Sequence, residues 1–197
     1  MNFCSECGEK VNITIPEGDN RPRHICGSCG VIHYQNPKMV VGCLIEHDNK
    51  ILLCKRAIEP CYGLWTLPAG FMENNETTMQ AAQRETQEEA CADAEIVELF
   101  TMFSLPHIDQ VYMLYRASLR TPDFAAGTES LEVELFDEED IPWDEMAFPV
   151  ITESLKRYFS DREKGQYQIH TGAMIKKAAG DTPKGDDLFH TTTLNDD

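Results

Sequence analysis

The chain has 197 residues, with 34 acidic against 17 basic side chains and a formal net charge of −17. That balance argues against capture of nucleic acid or of an anionic membrane by electrostatic attraction, so an anionic substrate has to be held by a metal ion and local Arg or Lys. No apolar run approaches the roughly twenty residues of a membrane span, and MNFCSECGEK carries no apolar signal segment, so a cytoplasmic protein without membrane association is expected.

The length suits one domain of about 120–150 residues beside a small module, and the module is placed at residues 1–34. Cys4-Ser-Glu-Cys7 and Cys26-Gly-Ser-Cys29 are two CxxC knuckles separated by eighteen residues, the spacing of a closed structural zinc site. Gly8 and Gly30 follow each pair and supply the turn that brings backbone N–H groups to sulfur. The intervening stretch, with Pro16, Gly18, Asp19, Asn20 and Pro22, cannot build an apolar core, so Zn²⁺ has to supply most of the folding energy. The rival reading, a redox dithiol, lacks a surrounding thioredoxin-like pattern. Lys10, Arg21, Arg23 and His24 are the only candidate positive charges before residue 30, so packing or dimerisation is expected of the module rather than nucleic-acid binding.

After the linker His33–Pro37 the composition changes. KMVVGCLIEHDNKILLCKRA reads as two strands with a turn at His47–Asn49, with Cys43 and Cys54 as small core residues and Arg56 at the end of the second strand. Ile58–Trp65 reads as a loop in which Tyr62 and Trp65 are either aromatic surfaces for a ligand or core fillers.

From Thr77 to Glu89 good helix formers run without Gly or Pro, so a helix is expected there, with Asn74 or Asn75 as its cap and Glu76 in its first turn. Glu85, Glu88 and Glu89 stand at i, i+3 and i+4, which gathers three carboxylates along one face. Like charges so close repel, and they require either open water or a hard cation; carboxylate oxygens are what Mg²⁺ and Mn²⁺ prefer. Arg84 falls four residues before Glu88 and can pair with it. Downstream, AEIVELFTMFSL and QVYMLYRASLR read as strands joined by a turn at Pro106–Asp109, a further strand lies around Leu131–Phe136, and Phe148–Asp161 reads as a closing helix whose apolar face is Val150, Ile151, Leu155, Tyr158 and Phe159. Residues 166–197 read as a polar, flexible C-terminal tail.

Gly70, Glu76, Arg84, Glu85, Glu88 and Glu89 stand at the spacing G-x5-E-x7-R-E-U-x-E-E-x-G-U, which resembles the signature box of the Nudix hydrolases; Thr86, Cys91 and Ala92 depart from it at packing and termination positions. The resemblance implies an α/β fold, an α/β/α sandwich with a mixed central sheet, over residues 35–165. It implies Glu85 and Glu89 as the main Mg²⁺ or Mn²⁺ ligands, Glu88 as a further ligand or support, and a carbonyl of Ala69 or Gly70 beside them. A general base is expected from the box or from a later acidic stretch, with Glu129, Glu132 and Glu134 as candidates. Arg56 is either a phosphate contact or a plain surface charge, and Tyr62 or Tyr112 is a candidate stacking partner for adenine. The ribbon, the HYQNPK linker and SLPHIDQVYMLYRA together are similar to a zinc-ribbon subgroup that includes plant chloroplast enzymes cleaving FAD and ADP-ribose. A related NADH-cleaving group carries SQPWPFP where this chain reads FSLPHID, which argues against NADH as the preferred substrate. The resemblance thus implies Mg²⁺-dependent cleavage of a nucleoside diphosphate linked to a second moiety, with AMP released, by a homodimer. The alternatives are NADH or housecleaning nucleotide hydrolysis, and a nucleotide-sensing DNA-binding regulator on the same fold.

Overall fold

The computed structural model describes residues 1–176 and the backbone of 189–193, and the chain forms two compact units, Met1–Pro37 and Lys38–Asp197. In the first, β1 (Val11–Thr14), β2 (Arg23–Cys26) and β3 (Ile32–His33) make a three-stranded antiparallel sheet. Its buried apolar residues are Cys4 and Cys26 alone among the described residues, so no hydrocarbon core holds this unit.

The second unit is built on a nine-stranded mixed sheet. Its strands are β4 (Lys38–His47), β5 (Lys50–Arg56), β6 (Trp65–Thr66), β7 (Ala69–Phe71), β8 (Ala94–Leu105), β9 (Gln110–Leu119), β10 (Ser130–Phe136), β11 (His170–Lys176) and β12 (Phe189–Thr193). The main order is β10-β5-β4-β9-β8-β11-β12, with β6 on β5 and β7 on β4; the β4–β9 and β8–β11 pairs are parallel. Between β4 and β5, Asp48 and Asn49 both hold positive φ, 50° and 64°, the backbone that a two-residue hairpin turn requires. Both strands are buried on both faces, and successive residues go to opposite sides. Leu44, Ile51 and Leu53 join the core under the helix α2 (Pro149–Lys164), whereas Cys43, Ile45, Leu52 and Cys54 join the one under α1 (Thr78–Ala90). The result is helix, sheet, helix, and all five residues expected on the apolar face of the closing helix are buried.

The cap of α1 differs from expectation. Asn75 sits at φ 70°, a left-handed conformation that cannot serve as an N-cap, and Thr77 does so instead. Its hydroxyl accepts from the Gln80 N–H at 3.2 Å, while the Gln80 side chain accepts from the Thr77 N–H at 2.8 Å, a reciprocal capping box. Glu76 therefore lies before the helix. At the other end Cys91 takes the left-handed cap, φ 47°, where the signature has Gly. Because an L side chain in that region costs about 1 kcal/mol relative to Gly, Cys91→Gly is expected to stabilise the fold by about that amount, visible as a higher urea midpoint with an unchanged slope. Thr86, at an aliphatic place of the signature, is fully buried and donates to the Ala82 carbonyl at 2.9 Å, which satisfies its hydroxyl within the helix.

The expected tail is partly sheet. His170–Lys176 pairs in parallel with Thr101–Ser104 of β8 and antiparallel with β12. Met174 is buried in the core and His170 meets Asp161 of α2 at 2.8 Å, contacts with distant elements that a window on this polar stretch does not contain. Residues 177–188 and 194–197, also assigned to the tail, lie outside the described residues.

Candidate active site and cysteine cluster

In the first unit the four sulfurs of Cys4, Cys7, Cys26 and Cys29 lie within 4.8 Å of one another. The Cys4–Cys29 and Cys7–Cys26 separations are 3.7 and 3.4 Å, close to the edge of about 3.8 Å that a tetrahedron with Zn–S bonds of about 2.3 Å has. Gly8 and Gly30 hold positive φ, and their N–H groups bond back to the carbonyls of Cys4 and Cys26, turning each knuckle. The N–H groups of Glu6 and Cys29 then point at the sulfurs of Cys4 and Cys26, at 3.4 and 3.5 Å, and His33 Nε2 lies 3.3 Å from Cys4 Sγ. Four thiols so supported form a donor set that suits zinc.

In the second unit a cavity of about 960 Å³ opens beside α1, within the usual range for small-molecule sites. Glu85 and Glu89, one turn apart, face it and are only 8% and 6% exposed, and Glu88 lines it as well, at its exposed side. Arg84 organises the group. Its guanidinium grips Glu76 through two donors at 3.0 and 2.8 Å, reaches Glu85 at 2.7 Å and Glu88 at 3.0 Å, and ties to the Phe71 carbonyl at 3.1 Å. Glu76 is thereby held below the usual carboxylate range by Arg84. The expected Arg84–Glu88 pair is present, but it is the most exposed part of a network that anchors the loop before the helix to the helix itself.

Strand β7, just before that loop, also shapes the two buried carboxylates. The Ala69 N–H donates to Glu89 Oε2 at 3.2 Å. At Gly70 a Cβ would stand 2.3 Å from Glu85 Oε2, so only glycine lets this carboxylate lie flat on the strand. The atom in the way is the tip of a flexible side chain, which can swing aside. Gly70→Ala is therefore expected to fold normally but to displace Glu85, lowering kcat by about 10²-fold; a normal melting curve with a depressed rate is the checking pair of measurements.

Burial pushes both carboxyls up. Glu85 is raised by loss of water, and Glu89 is pushed up to about 8, again chiefly by burial, with the charges of Glu85 and Glu129 adding to it and the Ala69 N–H and Arg56 opposing it. Two acids forced together out of water, with a backbone donor on one side and open space on the other, form a site that a divalent cation would relieve of its repulsion.

Arg56 is at the other side of the same cavity, 8% exposed, with Nε donating to the Pro60 carbonyl at 2.9 Å and the guanidinium 5.1 Å over the Phe148 ring. Tyr112 also lines the cavity and is buried; Tyr62 is 57% exposed and does not line it. Trp65 is core, edge-on to Phe136. Of the expected bases, Glu129 lines the cavity, whereas Glu132 lies on β10 and pairs with Lys55 at 3.1 Å, and Glu134 of the same strand also lies outside the lining. The split follows from the sheet: β10 is its edge strand, while Glu129 sits in the loop that enters it. Phe148, Gln110, His107 and Thr128 line the cavity without having been singled out in the sequence. Phe148 carried one usable signal, its place just before the helix-starting Pro149; the others carried none.

A family model described as the NUDIX domain matches residues 36–158. The chain belongs to the Nudix family. A model for the Nudix N-terminal zinc ribbon matches residues 2–35 of this Nudix hydrolase. A NUDIX hydrolase crystal structure from Nitrosomonas europaea is 61% identical, with a TM-score of 0.85 over 88% of this chain and 98% of that one. An ADP-ribose pyrophosphatase of Methanocaldococcus jannaschii is 34% identical over 113 residues, 55% of this chain and 67% of that protein. A NAD-capped RNA hydrolase, NudC, of Vibrio atlanticus is 30% identical over 128 residues, 65% of this chain and 44% of that protein. The chain thus spans about two thirds of the first relative and under half of the second. Among the described residues no helix is long and apolar enough to cross a membrane.

Proposed function

We propose that this Nudix hydrolase cleaves the diphosphate bridge of a nucleoside diphosphate joined to a second moiety, of the ADP-ribose or FAD type, in a Mg²⁺-dependent reaction that releases AMP. The observation that carries the reading is the buried Glu85–Glu89 pair at the wall of a cavity of about 960 Å³ that also holds Arg56. The similarity to a protein named ADP-ribose pyrophosphatase supports the substrate class. Glu85 and Glu89 would hold the cation, with Glu88 and a carbonyl of Ala69 or Gly70 as further ligands, Arg84 fixing Glu85 and Glu88 and the Ala69 N–H fixing Glu89. When bound, Mg²⁺ supplies charge neutralisation at the diphosphate oxygens and lowers the pKa of water. Arg56, pinned by Pro60 and Phe148, meets the phosphate charge; Glu129, on the cavity rim, takes the proton from the attacking water. Tyr112, buried in the cavity wall, supplies an apolar surface for the base. The ribbon binds Zn²⁺ structurally, and a cytoplasmic homodimer is the expected setting.

The similarity to NudC favours a second reading in which an NAD-type dinucleotide is the substrate. Both readings are tested by following AMP release with Mg²⁺ from ADP-ribose, FAD, NADH and dinucleoside polyphosphates. Turnover of ADP-ribose or FAD at the highest kcat/KM supports the first, a preference for NADH the second, and no AMP from any of them removes both.

A further inference from the structure

The loop that brings Glu129 to the cavity is fastened to the carboxylate-bearing helix through its backbone. The Ala125 N–H donates to the Ala90 carbonyl at 2.9 Å and the Gly127 N–H to the Glu89 carbonyl at 3.0 Å. Those carbonyls belong to the last turn of α1 and have no partner within the helix. Contact at Gly127 leaves no room for a side chain: a Cβ there would lie 1.7 Å from the Glu88 carbonyl oxygen and 2.8 Å from its carbon. Unlike the tip of Glu85 beside Gly70, these are backbone atoms of a packed helix and cannot step aside. Gly127 does not occupy the left-handed region, so space alone demands the glycine.

Two residues on, the chain is tied to the sheet. The Ala57 N–H donates to the Glu129 carbonyl at 2.8 Å, the Ser130 N–H to the Gly127 carbonyl at 3.2 Å, and Ser130 pairs with Arg56. Glu129 therefore stands between one anchor on the residue that carries the Glu89 carboxylate and another on the neighbour of Arg56. By contrast Thr121–Asp123, which lead into the loop from β9, are exposed.

We propose that Gly127 is a positioning residue: its seat on the Glu88–Glu89 backbone sets where the Glu129 carboxylate enters the cavity relative to the Glu85–Glu89 pair. The proposal rests on Glu129 acting as the base, as put forward under Proposed function. A methyl at position 127 has to lift the loop by roughly 2 Å, since non-bonded atoms settle about 3.5 Å apart and the Glu88 oxygen would stand at 1.7 Å, and a misplacement of even about 1 Å costs about 10²-fold in rate.

The test uses the full-length chain in five forms: wild type, Gly127→Ala, Glu129→Gln, the double variant, and an insertion of two glycines between Pro122 and Asp123. Steady-state kinetics are read with Mg²⁺ on whichever of ADP-ribose, FAD, NADH and the dinucleoside polyphosphates the wild type turns over with the highest kcat/KM, and backbone amide exchange at Ala125 and Gly127 is read on the wild type. Gly127→Ala is expected to lower kcat about 10²-fold with KM little changed, and to add no further loss once Glu129 is Gln. The insertion is expected to leave kcat at the wild-type value, because the anchors and not the connection from β9 set the register. Independent, multiplicative losses in the double variant overturn the proposal, as does a wild-type rate in Gly127→Ala or in Glu129→Gln. Should Gly127→Ala fail to fold, the insertion decides: a depressed kcat there overturns the seat and a wild-type one supports it. If none of ADP-ribose, FAD, NADH and the dinucleoside polyphosphates is turned over, the functional reading has failed and amide exchange decides separately, slow exchange at both positions supporting the seat and fast exchange overturning it.

Discussion

Replacing Glu89 with Gln is expected to lower kcat by about three orders of magnitude, the several kcal/mol that a correctly held divalent cation contributes, while leaving the Mg²⁺-free protein at least as stable as the wild type. Both halves come from the same burial. Glu89 is 6% exposed, and loss of water pushes its carboxyl from the usual 4.5 to about 8. Between those values the folded, Mg²⁺-free protein holds a proton that the unfolded chain has released. The contribution of this group to stability is complete below pH 4.5 and is lost as the pH rises towards 8. Gln keeps the oxygen that accepts the Ala69 N–H but has no proton to lose, so the variant is expected to melt at a less pH-dependent temperature, with its advantage over the wild type growing from pH 5 to pH 8. Added Mg²⁺ is expected to raise the wild-type melting temperature and not that of the variant. Melting curves across that range, with and without Mg²⁺ and with zinc retained, together with kcat, check the set. Wild-type turnover in Glu89→Gln would remove Glu89 from the cation site.

The second large effect is expected in the first unit. Stripping zinc, or replacing Cys7 with Ser, is expected to abolish the ordered structure of Met1–Pro37. The reason is the lack of an apolar core: its buried apolar residues among those described are Cys4 and Cys26, themselves members of the four-thiol cluster. Binding of structural zinc is worth about 10–16 kcal/mol in comparable small modules, far more than three short strands provide. Lys38–Lys176, with apolar cores on both faces of its own sheet, is expected to stay folded. One zinc per chain by elemental analysis, and amide exchange that becomes fast in residues 1–37 but not in the central strands once the metal is removed, are the measurements. Protected amides throughout a zinc-free ribbon would show that something other than the four thiolates holds it.

What was legible in the amino-acid order was whatever depends on neighbours along the chain. The CxxC pairs with their following glycines, the turn expected at His47–Asn49, the one-sided apolar spacing of the second helix and the i, i+3, i+4 carboxylates are all local signals, and each appears in the structure at or within a residue of where its spacing put it. Even the Thr77–Gln80 box was local, and it was missed only because the asparagines just before it are ordinarily good caps. Tertiary structure alone decided the rest. Glu129 and Glu132 are three residues apart in similar acidic surroundings, yet one faces the cavity and the other, on the edge strand, pairs with Lys55 of β5, because a loop anchored on Glu89 and Ala57 carries the first. Tyr112 lines the cavity and Tyr62 faces solvent for the same kind of reason, since central and loop positions are set by pairing across the sheet. His170–Lys176 is a strand because β8 offers it an open edge and the core accepts Met174. Sequence spacing determines which groups share a face of one element; which faces meet is a matter of contacts between residues far apart in the chain, and those exist only once the sheet has formed.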